Sequence, residues 1–167
     1  KGAVHEEVYG FERPRFFAKG IEQRDHYGFR RTPVDDMVAA EVHAVRERVG
    51  MIHVTAFTKV LVEGPDAFAL LDCLTANRMP QKVGSITLTH MLNRRGRIEL
   101  ETTIVRMSED SFYLVCAAFF EQRLLDHLAA EQGSDVATVT ALSDSWGALS
   151  LNGPCARDVL TACTDAR

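Results

Sequence analysis

Among 167 residues there are only four cysteines, five prolines and one tryptophan. Cys73, Cys116, Cys155 and Cys163 stand far apart with no C-x-x-C pair, which fits reduced thiols in a reducing compartment rather than a disulfide framework. Long hydrophobic runs are missing too. Leu70-Leu71 stops at Asp72, the run from Ala117 stops after Phe120, and nothing approaches the roughly 18 apolar residues of a membrane span. Excess positive charge is absent: 19 basic against 23 acidic residues leave a net charge of -4 with neutral His. No broad positive field exists to hold a nucleic-acid backbone or an anionic membrane, so neither is an expected partner. The chain opens at Lys1 without a charged-then-apolar leader, so its amino end reads as a cut or a processing site and secretion is not expected.

Several chemical signatures are also lacking. Without G-x-G-x-x-G or G-x-x-x-x-G-K-[ST], the chain has no recognisable cradle for flavin, nicotinamide or ATP phosphates. The six histidines include no H-x-x-H and none lies at ligand-like spacing from a cysteine, so no metal site is expected. There is no G-x-S-x-G elbow, and Cys116 between Val115 and Ala117 reads as strand packing rather than as a nucleophile. What is present is the composition of a globular domain, 46% hydrophobic and 25% charged, with a mean hydropathy of -0.08 and enough length to bury a core.

Residues 1–31 are rich in aromatic and basic side chains without helical or strand periodicity, and read as an ordered arm on a larger body. Thr32, with Pro33 behind it and Asp35 and Asp36 in the first turn, opens a helix whose stripe is Val34, Val38, Val42, Val45 and Val49, ended by Gly50. Residues 51–63 read as one strand bent near Ala56, and Pro65 opens a helix through Leu74. Two strands, 86–92 and 98–107, flank Asn93-Arg94-Arg95-Gly96, the composition of a hairpin turn. A strand over 112–116, a helix over 119–131 closed by Gly133, strands over 136–142 and 149–151, and a helix from Pro154 to Cys163 complete the pattern.

Two stretches echo each other. Val60-Leu61-Val62-Glu63-Gly64-Pro65-Asp66-Ala67 returns 89 residues later as Leu149-Ser150-Leu151-Asn152-Gly153-Pro154-Cys155-Ala156, and Leu71 and Thr75 return as Leu160 and Thr164. A strand running into Gly-Pro and a helix, twice at one spacing, predicts an α+β fold of duplicated antiparallel-sheet and helix units. The second copy stops soon after Thr164, so the second unit is expected to be truncated and any site between halves only half built.

On residues 98–105 the period of two puts Glu99, Glu101 and Thr103 on one face and Leu100, Thr102 and Ile104 on the other. Either that polar face lines a cleft, where two carboxylates meet a ligand, or it is an ordinary solvent-facing strand. His53 and His90, each on an expected strand, face the same choice.

The run Val45–Thr55, then Val62-Glu63-Gly64-Pro65, Met91-Leu92-Asn93 with Gly96, and Leu151-Asn152-Gly153-Pro154 resembles the folate-binding domain of the aminomethyltransferase (T-protein) of the glycine cleavage system. The arm Tyr9-Gly10-Phe11-Glu12-Arg13-Pro14-Arg15-Phe16-Phe17 looks like a segment of one branch, the dimethylglycine and sarcosine dehydrogenases. The resemblance implies an arm over 1–31 and the N-terminal portion of a folate-binding aminomethyltransferase domain over 32–167. It implies a piece of a flavoprotein that oxidatively demethylates an N-methyl amino acid and passes the one-carbon unit to tetrahydrofolate, with FAD held only by an upstream flavin-bearing domain or subunit. The expected compartment is the bacterial cytoplasm or the mitochondrial matrix. A non-catalytic regulatory or binding module on the same fold is the alternative, and the piece alone is expected to be inactive.

The resemblance also assigns roles. Glu101 matches the family's carboxylate that contacts the folate nitrogens, an Asp there; the extra methylene moves the group by about 1 Å, enough to matter for a catalytic acid. Phe57 stands at a pterin-side methionine position, and Leu88, Tyr113 and Val115 at wall positions. Ala117 replaces a polar Asn, whose hydrogen bond is lost unless backbone or water supplies it.

Overall fold

The computed structural model describes residues 2–8, 11–18, 28–134 and 136–165. In chain order the elements are β1 (Ala3–Val8), β2 (Phe11–Phe17), α1 (Pro33–Glu47), β3 (Gly50–His53), β4 (Thr58–Glu63), α2 (Ala67–Leu74), β5 (Ile86–Leu92) and β6 (Ile98–Arg106). There follow β7 (Ser111–Cys116), α3 (Glu121–Gln132), β8 (Thr138–Ala141), β9 (Leu149–Asn152) and α4 (Ala156–Cys163). They fall into two compact units, Lys1–Ile52 with Ser150–Arg167, and His53–Leu149.

The first unit opens with an antiparallel hairpin, β1 on β2, where the sequence showed no strand period. The physical reason is Pro14. It has no N–H for the ladder and is tolerated in a strand at a bulge; the register slips between Val4 and His5, and His5 is the residue facing Pro14. The slip breaks the alternation that a sequence pattern would display. Glu6 lies 3.4 Å from an Arg13 nitrogen and 3.7 Å from Arg15, and Phe16 is buried. The rest of the arm read over 1–31, including Tyr9, Arg24 and Tyr27, lies partly outside the described residues.

Helix α1 starts as its capping residues dictate. The Thr32 N–H donates to the Asp35 carboxylate at 2.5 Å, and that bond holds the Asp35 carboxyl below the usual carboxylate range. The helix ends at Glu47, and Gly50 begins β3 rather than closing the helix. The single bent strand expected over 51–63 is two strands. The chain turns between them at residues 54–57, where the Phe57 N–H donates to the Val54 carbonyl at 3.3 Å. Strand β3 pairs with β9 in a two-stranded sheet.

The second unit is a five-stranded antiparallel sheet of order β5-β6-β7-β4-β8. One face is sealed. Val60 and Val62 of β4, Leu100 and Ile104 of β6 and Phe112 and Leu114 of β7 form a core with Leu70 and Leu71 of α2 and Leu124 and Leu128 of α3. The Phe68 ring meets Phe112 edge-on at 6.0 Å, and the Arg106 guanidinium lies over both rings at about 5.5 Å. In the hairpin turn between β5 and β6, Gly96 has φ of 70°.

That hairpin revises one expectation. Pairing runs from Met91 opposite Leu100 directly to Leu92 opposite Ile98, so Glu99 is the extra residue of a β-bulge. The bulge rotates Glu99 away from Glu101, and the expected pair of carboxylates on one face is not formed. Glu99 instead ties β6 to α3, accepting from Arg123 Nε at 2.8 Å and from Asn93 Nδ2 at 2.7 Å. The Arg123 guanidinium, and after it Asn93, hold the Glu99 carboxyl below its ordinary range.

The duplication is present in the backbone. Helices α2 and α4 begin and end 89 residues apart, after Gly64 with φ of 133° and Gly153 with φ of 122°. The bonds repeat as well. Ala67 donates to the Gly64 carbonyl and Ala156 to the Gly153 carbonyl, and Thr75 and Thr164 close the helices on Leu71 and Leu160. The copies are interleaved: in the second unit α3–β8 supplies the strand beside β4, while in the first unit α1–β3 supplies the strand beside β9. Matching positions differ in cover, since Val60 and Leu71 are fully buried whereas Leu149 is 60% and Leu160 49% exposed.

Both glycines are required sterically. A Cβ at Gly64 would stand 2.4 Å from the Val136 carbonyl oxygen, and one at Gly153 2.4 Å from that of Val45. Gly64→Ala is therefore expected to cost on the order of 3 kcal/mol in urea unfolding, and Gly96→Ala, whose Cβ would meet open space, about 1 kcal/mol. Equal costs would remove the steric account. A second outcome concerns pH. Because the folded Glu99 carboxyl titrates below its unfolded counterpart, its stabilisation is complete above the ordinary carboxylate range and lost as pH falls through the lowered folded value. Wild type and Glu99→Gln should differ in unfolding midpoint at pH 7 and converge toward pH 2; a constant difference would exclude an ionic role for Glu99.

Candidate functional site

The face of the five-stranded sheet turned away from the core gathers most of the residues expected at the site. Cross-strand pairing places Leu88 of β5 opposite Thr103 of β6, Thr103 opposite Val115 of β7, and Val115 opposite Lys59 of β4. Directly opposed residues project to the same side, so these four form one rung across four strands. The next rung begins with His90 opposite Glu101. Above it the chain enters β4 at Phe57 and leaves β7 at Ala117.

Those rungs line a cleft of about 200 Å³ whose walls include Phe57, Leu88, Glu101, Thr103, Val115 and Ala117. Whole-ligand pockets run roughly 300–1,000 Å³, so this cleft has room for a ring system but not for an entire large cofactor. Its walls are apolar and aromatic, with Phe57 46% and Leu88 56% exposed. Among the described residues Glu101 is the one carboxylate in its lining.

Of the five residues expected at the site, the cleft gathers Phe57, Leu88, Glu101 and Val115. Tyr113 sits on the same sheet face one rung away, opposite Leu61, with its ring 5.9 Å from Trp146. Burial pushes its phenol above the ordinary value, so it stays protonated at neutral pH. Ala117 has no side-chain hydrogen bond to offer, and its carbonyl accepts from the Phe120 N–H at 2.9 Å and the Thr58 hydroxyl at 3.4 Å. Cys116 also reaches the cleft, yet burial raises its thiol pKa and leaves it a poor nucleophile.

Two further residues lie on this face: His90, for which the sequence left cleft and solvent open, and Lys59, which it did not single out. His90 Nε2 lies 3.2 Å from Glu101 Oε2, a cross-strand contact that orients the carboxylate. The pairing of strands 86–92 and 98–107 held the signal, because counting back from the turn sets 90 opposite 101 once the bulge is allowed for. Lys59 is 1% exposed, and its ammonium donates to the carbonyls of Thr55 at 2.7 Å and Phe57 at 2.6 Å. Among the described residues no carboxylate pairs with it. Burying an ammonium costs several kcal/mol, of which each charge-assisted hydrogen bond returns about 1.5–3 kcal/mol, so those two carbonyls are what makes its position tolerable.

Among the described residues no three His, Cys, Asp or Glu side chains gather as a metal cluster, and no helix is long and apolar enough to cross a membrane. Asn93, Glu99 and His127 border a separate hollow of about 570 Å³ beside the hairpin turn.

Comparison with known proteins gives this geometry a setting. Mouse mitochondrial dimethylglycine dehydrogenase is 36% identical over 159 residues, covering 93% of this chain and 18% of its own length. The mouse mitochondrial pyruvate dehydrogenase phosphatase regulatory subunit is 30% identical over 177 residues, covering 96% of this chain and 19% of its own length. The chain thus spans about a fifth of these relatives. Among solved structures, aminomethyltransferase T of the glycine cleavage system from Bartonella henselae superposes with a TM-score of 0.75 at 24% identity, over 96% of this chain and 40% of that one. The likeness establishes the α+β fold as that of aminomethyltransferase T. The family described as the GCVT N-terminal domain matches residues 1–167 from end to end, and the chain belongs to that family.

Proposed function

We propose that this chain is the folate-binding part of a flavoprotein that oxidatively demethylates an N-methyl amino acid of the dimethylglycine or sarcosine type. In this proposal residues 32–167 belong to the folate-binding domain, 1–31 are an arm before it, and the whole protein works in the mitochondrial matrix or the bacterial cytoplasm. The observation that carries the proposal is the grouping of Phe57, Leu88, Val115 and the carboxylate of Glu101 around one ring-sized cleft, in a chain 36% identical to a dimethylglycine dehydrogenase.

The residues present fit a reduced pterin. Phe57 offers an aromatic face for stacking, Leu88 and Val115 exclude water from a flat ring, and Glu101 accepts hydrogen bonds from ring N–H groups. Tetrahydrofolate, when bound, supplies nitrogens that take up the formaldehyde-level carbon released by amine oxidation. By holding that acceptor in place, the cleft residues would make capture of the reactive carbon a directed step. Glu101 is the group that stabilises positive charge at the reacting nitrogen or removes its proton, and the nearby His90 fixes its orientation. FAD finds no phosphate cradle in this chain and is assigned to a flavin-bearing domain or subunit of the parent protein.

A second reading, a regulatory module on the same fold, is favoured by the 30% identity to the phosphatase regulatory subunit and by Ala117 at a position where the T-protein has a polar Asn. It predicts no saturable tetrahydrofolate binding by the full-length protein, and calorimetric titration separates the two. In the full-length protein, Glu101→Ala should lower methylene-tetrahydrofolate formed per amine oxidised by about 100-fold while amine oxidation stays near wild type. An unchanged folate yield would remove Glu101 from the mechanism. Phe57→Ala should raise the tetrahydrofolate Kd by about tenfold, the value of one lost stacking face, with little change in amine oxidation.

A further inference from the structure

The turn at residues 54–57 brings Phe57 to the cleft and belongs to no helix or strand. Its backbone is nevertheless heavily tied. The Val54 N–H donates to the Ala148 carbonyl at 2.9 Å, the Ala148 N–H donates to Thr55 Oγ1 at 2.9 Å, and the Thr55 hydroxyl donates to the Ala148 carbonyl at 3.3 Å. Beneath it, the Lys59 ammonium accounts for the carbonyls of Thr55 and Phe57, the two that flank Ala56. The backbone of Lys59 joins the same knot from the other side, its N–H donating to Ser143 Oγ and its carbonyl accepting from the Leu142 N–H.

A fully buried lysine that no carboxylate among the described residues pairs with is a poor choice for stability alone. An apolar side chain of similar length would avoid the desolvation of the charge. What methionine or leucine at this place lacks is an ability to hold two carbonyls of one turn in a fixed relation. Lys59 shares its rung with Val115 and Thr103, which line the cleft, and its buried ammonium reaches the backbone carbonyl of Phe57, the residue that forms the aromatic wall.

From this geometry we propose that Lys59 is a positioning residue: its ammonium clamps the 54–57 turn and thereby presets Phe57 as a rigid wall of the cleft. The clamp is a property of the free protein, and its effect on ligand rests on the folate reading above. The clamp lowers the ordering cost of binding because the turn is already held before a ring arrives.

The test uses the full-length protein and two independent readouts. Hydrogen exchange without ligand reads the clamp: Lys59→Met should speed exchange of the Val54, Phe57 and Ala148 amides by tenfold or more, with the β6 and β7 amides at Ile104 and Leu114 unchanged. Unchanged exchange in the turn would overturn the proposal, as would acceleration spread evenly over the sheet. Tetrahydrofolate titration reads the consequence. Lys59→Met should raise the Kd about tenfold, and in the Phe57→Ala background it should add little, because the wall it positions is already gone. Full additivity of the two substitutions would overturn the link to Phe57. If wild type binds no tetrahydrofolate, the folate reading fails while hydrogen exchange still decides the clamp. Should Lys59→Met not fold, Lys59→Gln removes the charge with a polar side chain, and the same amides are followed.

Discussion

Strand β4 has opposite surroundings on its two sides, and the second unit is built on that difference. Val60 and Val62 point into a core closed by α2 and α3, and the alternation leaves Lys59 and Leu61 on the other side. Strands β5, β6 and β7 carry the same division outward, with Leu100, Ile104 and Leu114 below and Leu88, Glu101, Thr103 and Val115 above. Helices seal one face to make the unit stable. The other face, relieved of that duty, holds exposed Phe57 and Leu88 around a single carboxylate. Had the register of β6 slipped by one residue, Glu101 would enter the core and Leu100 the cleft, so stability and site chemistry are set by the same pairing.

Much of this is legible in the amino-acid sequence. Gly-Pro followed by an apolar helix, twice at a spacing of 89, announced the repeat because a sharp left-handed entry followed by a fixed-φ residue is needed at both places. The Asn93–Gly96 turn announced the hairpin because Gly96 must take positive φ. Failures came where one residue breaks a period. The bulge at Glu99 turned a carboxylate toward Arg123, and no pattern of hydrophobicity marks a bulge. Pro14 disguised a strand, and the four residues between β3 and β4 read as a bend in one strand rather than a break because a turn with side chains such as Thr55 and Phe57 carries no glycine or proline signal.

The site was legible in part for the same reason. Strand alternation places Glu101 on a polar face, whereas Leu88, Val115 and Phe57 were indicated by resemblance alone. Tyr113 shares the face yet stacks on Trp146, a contact across more than thirty residues of chain that no local pattern encodes. Lys59 was hidden because a lysine among strand residues reads as solvent-facing. Only the folded structure, where it is 1% exposed and its backbone is bonded to Leu142 and Ser143, shows that it is sealed.

Interleaving of the two copies has a consequence for the order in which the chain is made. Residues 53–149 are contiguous, so the second unit has all of its strands as soon as β8 and the segment after it leave the ribosome. The first unit is not contiguous: α1 and β3 emerge early and have no strand to pair with until β9 and α4 arrive. During that interval the edge of β3 waits without its pairing strand, an opportunity for a chaperone and a hazard for self-association. Vectorial synthesis therefore favours completion of the cleft-bearing sheet first, with the discontinuous unit zipped up last.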